Sequence, residues 1–187
     1  MQARTLSIRH MILSALFVAL VVIGGKIIIP MAPAPITLQT LVIMLAGSIL
    51  GARWGAASIL VFVALIAVGL PLSASGQGGL AAILGPTGGY ILSWPIAAFV
   101  IGWMIEKWGR AGKVKAWQLT VAHVVGGIIV IYAIGFPWLL AVTGLPLNKA
   151  FFSAFLIFLP GDLIKAVAAT AIAMALYRAM PSMRPQR

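Results

Sequence analysis

Long apolar runs dominate the chain, separated by short stretches rich in proline, glycine or basic residues. Six runs are read as membrane spans, because about 20 apolar residues cross the ~30 Å hydrocarbon core of a bilayer. They cover approximately residues 10–29, 36–51, 54–70, 86–108, 116–142 and 149–178. We expect a tight turn at Ala52-Arg53-Trp54, and we expect neighbouring helices to support the short second span. The pattern predicts an all-α integral membrane protein with six transmembrane helices in a single domain, residues 1–187.

Composition supports this class and excludes others. Of the 187 residues, 63% are hydrophobic and 8% are charged, and the mean hydropathy is +1.14; a soluble domain of this size cannot bury so much apolar surface. The chain has no cysteine, which excludes disulfides and thiolate metal sites. His10 and His123 are far apart in the sequence, so no metal or cofactor is expected. We interpret the first span as retained and not as a cleaved signal.

The basic residues predict the orientation. The net charge is +11, but most basic residues flank spans, so topology explains them better than nucleic-acid binding does. If both termini are cytoplasmic, ten of the 13 Lys and Arg residues lie on the cytoplasmic side. These ten are Arg4, Arg9, Arg53, Lys107, Arg110, Lys113, Lys115, Arg178, Arg184 and Arg187. Lys26 and Lys149 lie outside, together with the turn at 30–35, the glycine-rich loop at 70–89 and the turn at 143–148.

The most informative polar residues lie deep in the last span. Asp162 is one of only two acidic residues in the chain, and Lys165 shares its helix face three positions on. A charge near the bilayer centre costs roughly 2.5–3.5 kcal/mol on insertion scales, so we interpret the pair as the floor of a site for a small polar molecule. Pro160 and Gly161 precede it, and irregular helix at membrane depth is typical of a cavity lining. The alternative is a buried ion pair that only fixes helix packing.

Other candidates lie near the outer surface. The glycine-rich stretch 76–90 lacks the Gly-Lys-Ser/Thr end of a P-loop, so we interpret it as a lid that binds a ligand through its backbone. A plain connecting loop is the alternative. Thr37 and Gln39 begin the second span, and Tyr90 and Trp94 lie early in the fourth. The aromatic residues are also typical of interfacial anchors, whereas Gln39 is within reach of the same cavity.

These features favour a binding or transport protein over an enzyme. Glu106 is placed in the cytoplasm and Asp162 is deep, so the two carboxylates cannot work as a pair. The sequence contains no Walker motif, so ATP hydrolysis would need another chain. Because six spans with one cavity are few for a complete transporter, we expect the chain to work with partners.

Three blocks of sequence stand out, namely Pro35-Ile36-Thr37-Leu38-Gln39-Thr40-Leu41, Gly85-Pro86-Thr87-Gly88-Gly89-Tyr90 and Leu159-Pro160-Gly161-Asp162-Leu163-Ile164-Lys165. Together they resemble the BioY family, the biotin-binding S components of energy-coupling factor (ECF) transporters. The resemblance implies the six-helix S-component fold in the cell membrane, with a pocket toward the outer face. It also implies a transmembrane coupling (T) subunit and a pair of ABC-type ATPases as partners. Ala15 and Ala19 match the small-residue motif that meets the T subunit in many S components.

The resemblance also implies a set of biotin-binding residues. Asp162 can accept from a ureido N–H of biotin, and Lys165 can donate to the ureido carbonyl or pair with the valerate carboxylate. Tyr90 would enclose the bicyclic ring, and loop amides would bind polar atoms. The full expected set is Asp162, Lys165, Tyr90, Gln39, Thr37, Gln77, Gly78, Gly79, Thr87, Gly88 and Gly89.

Competing hypotheses follow from the same residues. An S component for thiamine or riboflavin should have more aromatic residues near the lid, and the loop from Leu70 to Gly89 has none. A stand-alone proton-coupled carrier would use Asp162 as its relay. An intramembrane enzyme would need a second catalytic residue beside Asp162, and Lys165 is the one available.

Overall fold

The computed structural model describes residues 8–30 and 36–183 of the chain. Arg4, Pro35, Arg184 and Arg187, which enter the predicted topology and one of the sequence blocks, lie outside these ranges. The helices within them are α1 (Ile8–Gly24), α2 (Gln39–Ala67), α3 (Leu80–Leu84), α4 (Gly88–Gly109), α5 (Ala116–Val124), α6 (Ile131–Thr143), α7 (Leu147–Phe151) and α8 (Leu159–Ala179). Segments of π-helix at Val125–Val130 and Phe152–Leu156 follow α5 and α7, and a 3₁₀ turn at Pro181–Met183 follows α8.

Six transmembrane helices arise from these segments. Four continuous stretches of the described residues are long and apolar enough to cross a membrane: Gln39–Ala67, Gly88–Gly109, Ala116–Thr143 and Leu147–Ala179. The first of these is two helices joined at a kink, and α1 is a shorter apolar helix. The six-helix all-α architecture predicted from the hydrophobic runs is confirmed.

The kink in α2 lies at Gly51, one residue before the expected turn. Gly51 has φ 79° and ψ −177°, a conformation that a residue with a Cβ rarely adopts. The expected turn at residues 52–54 is wrong, since these residues are helical. The helix that restarts there has its first N–H satisfied by a side chain, because Ala52 donates to Glu106 Oε1 at 2.8 Å. A Cβ on Gly102 would lie 2.2 Å from Ala52 N, so α4 packs directly against the kink.

The loops also differ from expectation. The first helix ends at Gly24 and not near residue 29, because the β-branched residues that follow form a strand, β1 (Ile28–Ile29). This strand pairs antiparallel with β2 (Ile36–Thr37), in the register Ile28↔Thr37. The glycine-rich loop contains a five-residue helix, α3, which we did not predict.

The core lies where α2 and α4 cross the middle of the bundle. Its largest fully buried side chains include Phe62, Ile43, Met44, Ile59, Ile66 and Ile101. Small residues let the helices approach: a Cβ on Gly47 would lie 2.7 Å from Ala98 O. This packing leaves a cavity at the end of the bundle where β2, the 70–87 loop and the first turn of α4 meet.

Candidate functional site

A cavity of about 240 Å³ opens at the end of the bundle where β2, the 70–87 loop and the first turn of α4 meet. Its wall is formed by β2 and the first turn of α2, by the loop around residues 73–77, by the start of α4, and by α6 and α8. Most of the surface of this wall is apolar, and polar side chains from several elements reach it. Such a cavity is typical of a small-molecule site, in which a few polar groups fix the orientation of a ligand.

Asp162 and Lys165 form an ion pair in this wall, with Lys165 Nζ 2.9 Å from Asp162 Oδ1. The two residues are only 5% and 9% exposed. Pro160 helps to start α8, which places Asp162 in its first turn, where the positive end of the helix dipole stabilises a carboxylate. The pair is therefore held at a helix start next to the cavity.

Two hydroxyl groups from other helices complete the cluster around this pair. Tyr132 on α6 donates to Asp162 Oδ2 at 2.6 Å. Thr40 on α2 donates to Asp162 Oδ1 at 3.2 Å and accepts from Lys165 Nζ at 3.1 Å. Both oxygens of the buried carboxylate are thus hydrogen-bonded, as a buried charge requires.

An aromatic cluster forms the adjacent wall. Tyr90 and Tyr132 meet edge to face with ring centroids 6.0 Å apart, and Tyr132 meets Phe155 in the same way at 5.0 Å. The Tyr90 hydroxyl donates to Ala154 O at 3.1 Å. Its ring packs on Gly135, where a Cβ would lie 2.4 Å from Tyr90 Cδ1. The two tyrosines are therefore fixed by their neighbours, and their rings offer an apolar surface to a flat ligand.

The loop after α2 supplies the polar rim. Ser73 Oγ donates to Gln77 O at 2.6 Å and accepts from Gln77 N at 2.9 Å, which closes a tight turn. Ser73 is buried, whereas Ser75 and Gln77 are exposed, and all three line the cavity. Neutral hydroxyl and amide groups therefore surround this end of the cavity.

The comparisons with known proteins agree with this architecture. Residues 1–182 match the model of the BioY family. The chain belongs to the BioY family. It is 41% identical to the biotin transporter BioY of Rhizobium etli over 94% of this chain and 97% of the relative. It is 39% identical to the biotin transporter BioY of Rhodobacter capsulatus over 93% and 96% of the two chains.

A solved structure shows the same fold. The 2.1 Å crystal structure of the S-component for biotin from an ECF-type ABC transporter superposes with a TM-score of 0.85 and 32% sequence identity. The alignment covers 95% of each chain. The BioY-family chain therefore has the S-component fold that the sequence blocks predict.

The structure brings most of the expected BioY site residues to one cavity. Seven of the eleven line it, namely Thr37, Gln39, Gln77, Thr87, Tyr90, Asp162 and Lys165. They come from β2, the starts of α2 and α4, the 70–79 loop and α8. All three sequence blocks thus contribute residues to one cavity, although they are far apart along the chain.

Four expected glycines do not line the cavity: Gly78, Gly79, Gly88 and Gly89. The Gly79 N–H donates to Ile66 O at 2.7 Å and the Gly88 N–H to Gly85 O at 3.0 Å, so these amides are occupied. A Cβ on Gly89 would lie 2.3 Å from Trp138 Cβ. In the structure Gly78, Gly88 and Gly89 therefore permit close packing around the loop, whereas Gly79 has open space at its Cβ position and a φ of 79° that favours glycine.

Two cluster residues were missed by the sequence analysis, Thr40 and Tyr132. Thr40 directly follows Gln39 in the first block, so its position was a usable signal. Tyr132 is the lone tyrosine of a long apolar span, and a buried hydroxyl there needs a partner. Outside the cavity, Ala15 and Ala19 are exposed on α1, as a contact surface for another helix requires.

Proposed function

We propose that this chain is the biotin-binding S component of an ECF transporter, which captures biotin from outside and delivers it inward. The observation that carries the proposal is the buried cluster of Asp162, Lys165, Thr40 and Tyr132 in the cavity wall. It supports binding of a small ligand with adjacent donor and acceptor atoms. The names of the relatives identify biotin as the molecule to test first.

A count of hydrogen bonds gives the donors and acceptors of the cluster that remain available to a ligand. An ionised carboxylate has about four acceptor sites and an ammonium three donors. Asp162 accepts from Lys165, Thr40 and Tyr132, and Lys165 donates to Asp162 and Thr40. Within the described residues, about one acceptor site on Asp162 and one donor on Lys165 therefore have no partner. This pair of groups complements one edge of a urea, where an N–H lies beside a carbonyl, and biotin carries a cyclic urea.

The charge balance supports the ureido carbonyl as the partner of Lys165. Asp162 already neutralises the ammonium at 2.9 Å, and a ligand carboxylate here would leave the buried cluster with a net negative charge. Such a charge is strongly disfavoured in a low-dielectric site. The neutral ureido group adds hydrogen bonds without adding charge, so we place it at the cluster and the valerate toward the loops.

Transport requires other chains under this proposal. We infer a T subunit that contacts the exposed face of α1 at Ala15 and Ala19, together with a pair of ABC ATPases on the cytoplasmic side. Small residues let two helices approach closely in a bilayer, and Leu16 and Leu20 are exposed beside them. This chain then binds substrate and the partners hydrolyse ATP, which agrees with membership of a transporter family.

Calorimetry on the purified chain tests the proposal. Biotin is titrated first, followed by thiamine and riboflavin, and we expect binding of biotin alone. The double variant Asp162→Asn/Lys165→Gln removes both charges but keeps hydrogen-bonding groups, and it should not bind. Lys149→Gln is the matched control, because Lys149 is exposed and outside the cavity. Failure of well-folded protein to bind biotin refutes the proposal, whereas normal binding by the double variant refutes the assignment of this pair to the binding site.

A further inference from the structure

The charge distribution around the cavity is unusual for a protein that binds a carboxylic acid. Among the described residues that line it, Asp162 and Lys165 are the charged ones, and they neutralise each other. The other polar groups in the wall are hydroxyls, amides and an indole. The wall therefore offers no unpaired cation to a ligand carboxylate.

The sequence extends this observation to the loops above the cavity. No Asp, Glu, Lys or Arg occurs in residues 27–52, 54–105 or 116–148. These ranges include all of β2, the glycine-rich loop and the turn before α7. The nearest cations in sequence, Lys26 and Lys149, are both exposed and outside the cavity lining. The whole outer end of the site is thus neutral.

We propose that this chain binds the carboxyl end of biotin through neutral donors and water alone. Biotin derivatives in which the carboxyl group is converted to a neutral ester or amide are then also ligands. The inference rests on the proposed function. The donors are the exposed Ser75 and Gln77 at the rim, both in the cavity wall. A hydrogen bond to a carboxylate is stronger than one to a neutral carbonyl, but Ser75 and Gln77 are exposed, and water there solvates the charge and competes for these hydrogen bonds. The exposed rim should therefore hold an ester or amide carbonyl nearly as well as a carboxylate. The ligand class is therefore biotin together with its carboxyl esters and amides.

The reverse orientation, with the valerate carboxylate on Lys165, is disfavoured by burial. The Lys165 side chain is 11% exposed and that of Asp162 is 7% exposed. A second carboxylate beside Asp162 would place like charges together at a buried position, which is strongly unfavourable. At the rim, in contrast, water solvates the carboxylate and its charge contributes little to binding.

Calorimetry with three ligands tests the inference on the full chain in detergent or nanodiscs. The ligands are biotin, its methyl ester and its primary amide, which differ little in size but lose the negative charge. We expect Kd values within about threefold of one another, since exposed charges contribute roughly 0–1 kcal/mol. A loss of tenfold or more with either derivative overturns the inference.

Variants identify the cation if one is involved. Lys26→Gln and Lys149→Gln should leave biotin binding unchanged. If either variant binds biotin more weakly but binds the methyl ester as before, the inference is also overturned. If Lys165 holds the carboxylate, the unmodified chain will prefer biotin to its methyl ester, and Lys165→Gln will abolish that preference. The failures are distinguishable, because no biotin binding refutes the proposed function, whereas biotin binding without ester or amide binding refutes this inference alone.

Discussion

Neutralising Asp162 and Lys165, singly and together, separates their contribution to folding from their contribution to binding. The two side chains are 7% and 11% exposed and lie 2.9 Å apart. Asp162→Asn leaves a buried ammonium without a counter-charge, and Lys165→Gln leaves a buried carboxylate. Removing one partner of a buried pair destabilises a protein by about 3–5 kcal/mol, whereas replacing both partners is often nearly neutral.

The expected values follow from the remaining contacts. Tyr132 and Thr40 still hydrogen-bond to Asp162 in the Lys165→Gln variant, so we take the lower end, about 3 kcal/mol for each single variant. For a chain of this length, that corresponds to a decrease in Tm of about 6–12 °C. The double variant should be more stable than either single variant by about 2 kcal/mol or more.

Thermal unfolding in detergent measures these differences through the intrinsic fluorescence of the six tryptophans. Biotin at 100 times its Kd should stabilise the unmodified chain by about 2.7 kcal/mol, and it should stabilise none of the three variants. A double variant whose loss equals the sum of the two single losses refutes the electrostatic reasoning. Biotin-induced stabilisation of the double variant would show instead that the pair only fixes packing.

Three further predictions concern other residues. Tyr132→Phe removes a hydrogen bond to the Asp162 carboxylate that is worth about 1.5–3 kcal/mol to the folded chain, so Tm should fall. Because this bond also holds the carboxylate in position, calorimetry should show weaker biotin binding; an unchanged Kd contradicts the role of the hydroxyl. Gly102→Ala would place a Cβ 2.2 Å from Ala52 N and should lower Tm sharply. The matched control Gly161→Ala has open space at its Cβ position and should leave Tm unchanged. Equal Tm values for the two variants contradict the packing at the kink. Ala15→Leu with Ala19→Leu should leave biotin binding intact but reduce co-purification of the T subunit, and full co-purification argues against contact there.

Part of the fold could be predicted because the long apolar runs that form the spans are a local property of the sequence. The bilayer requires each span to satisfy its own backbone hydrogen bonds, so span number follows from hydropathy alone. Kinks between consecutive helices were harder to predict from the sequence. Gly51 was predicted as the end of a span, but the residues after it are helical because Glu106, far along the chain, satisfies the Ala52 N–H. Such a contact has no local signal.

The candidate site was predicted where charge made it conspicuous and missed where it did not. Asp162 and Lys165 stood out because charges are expensive in a membrane. Tyr132 and Thr40 reach Asp162 from positions 30 and 122 residues away along the chain. Predicting such contacts requires knowing how each helix is rotated about its axis. The four glycines predicted between residues 78 and 89 do not line the cavity, and the sequence could not show this, since a glycine that admits a neighbouring backbone looks the same in sequence as one that admits a ligand.

Helix rotation is hard to infer here because both the lipid and the core are apolar. In a helix of a soluble protein, the hydrophobic face points inward, so the sequence pattern shows which face is buried. On α8 the large apolar residues Leu163, Ile164 and Val167 are exposed, whereas Asp162 and Lys165 are buried. The small residues Ala166, Ala169 and Ala173 are also buried on α8. The inward face is thus marked by small and polar residues, as close helix packing in a bilayer favours. By the same rule, Ala15 and Ala19 resemble an inward face although they are exposed on α1, which is the physical reason to expect another helix against them.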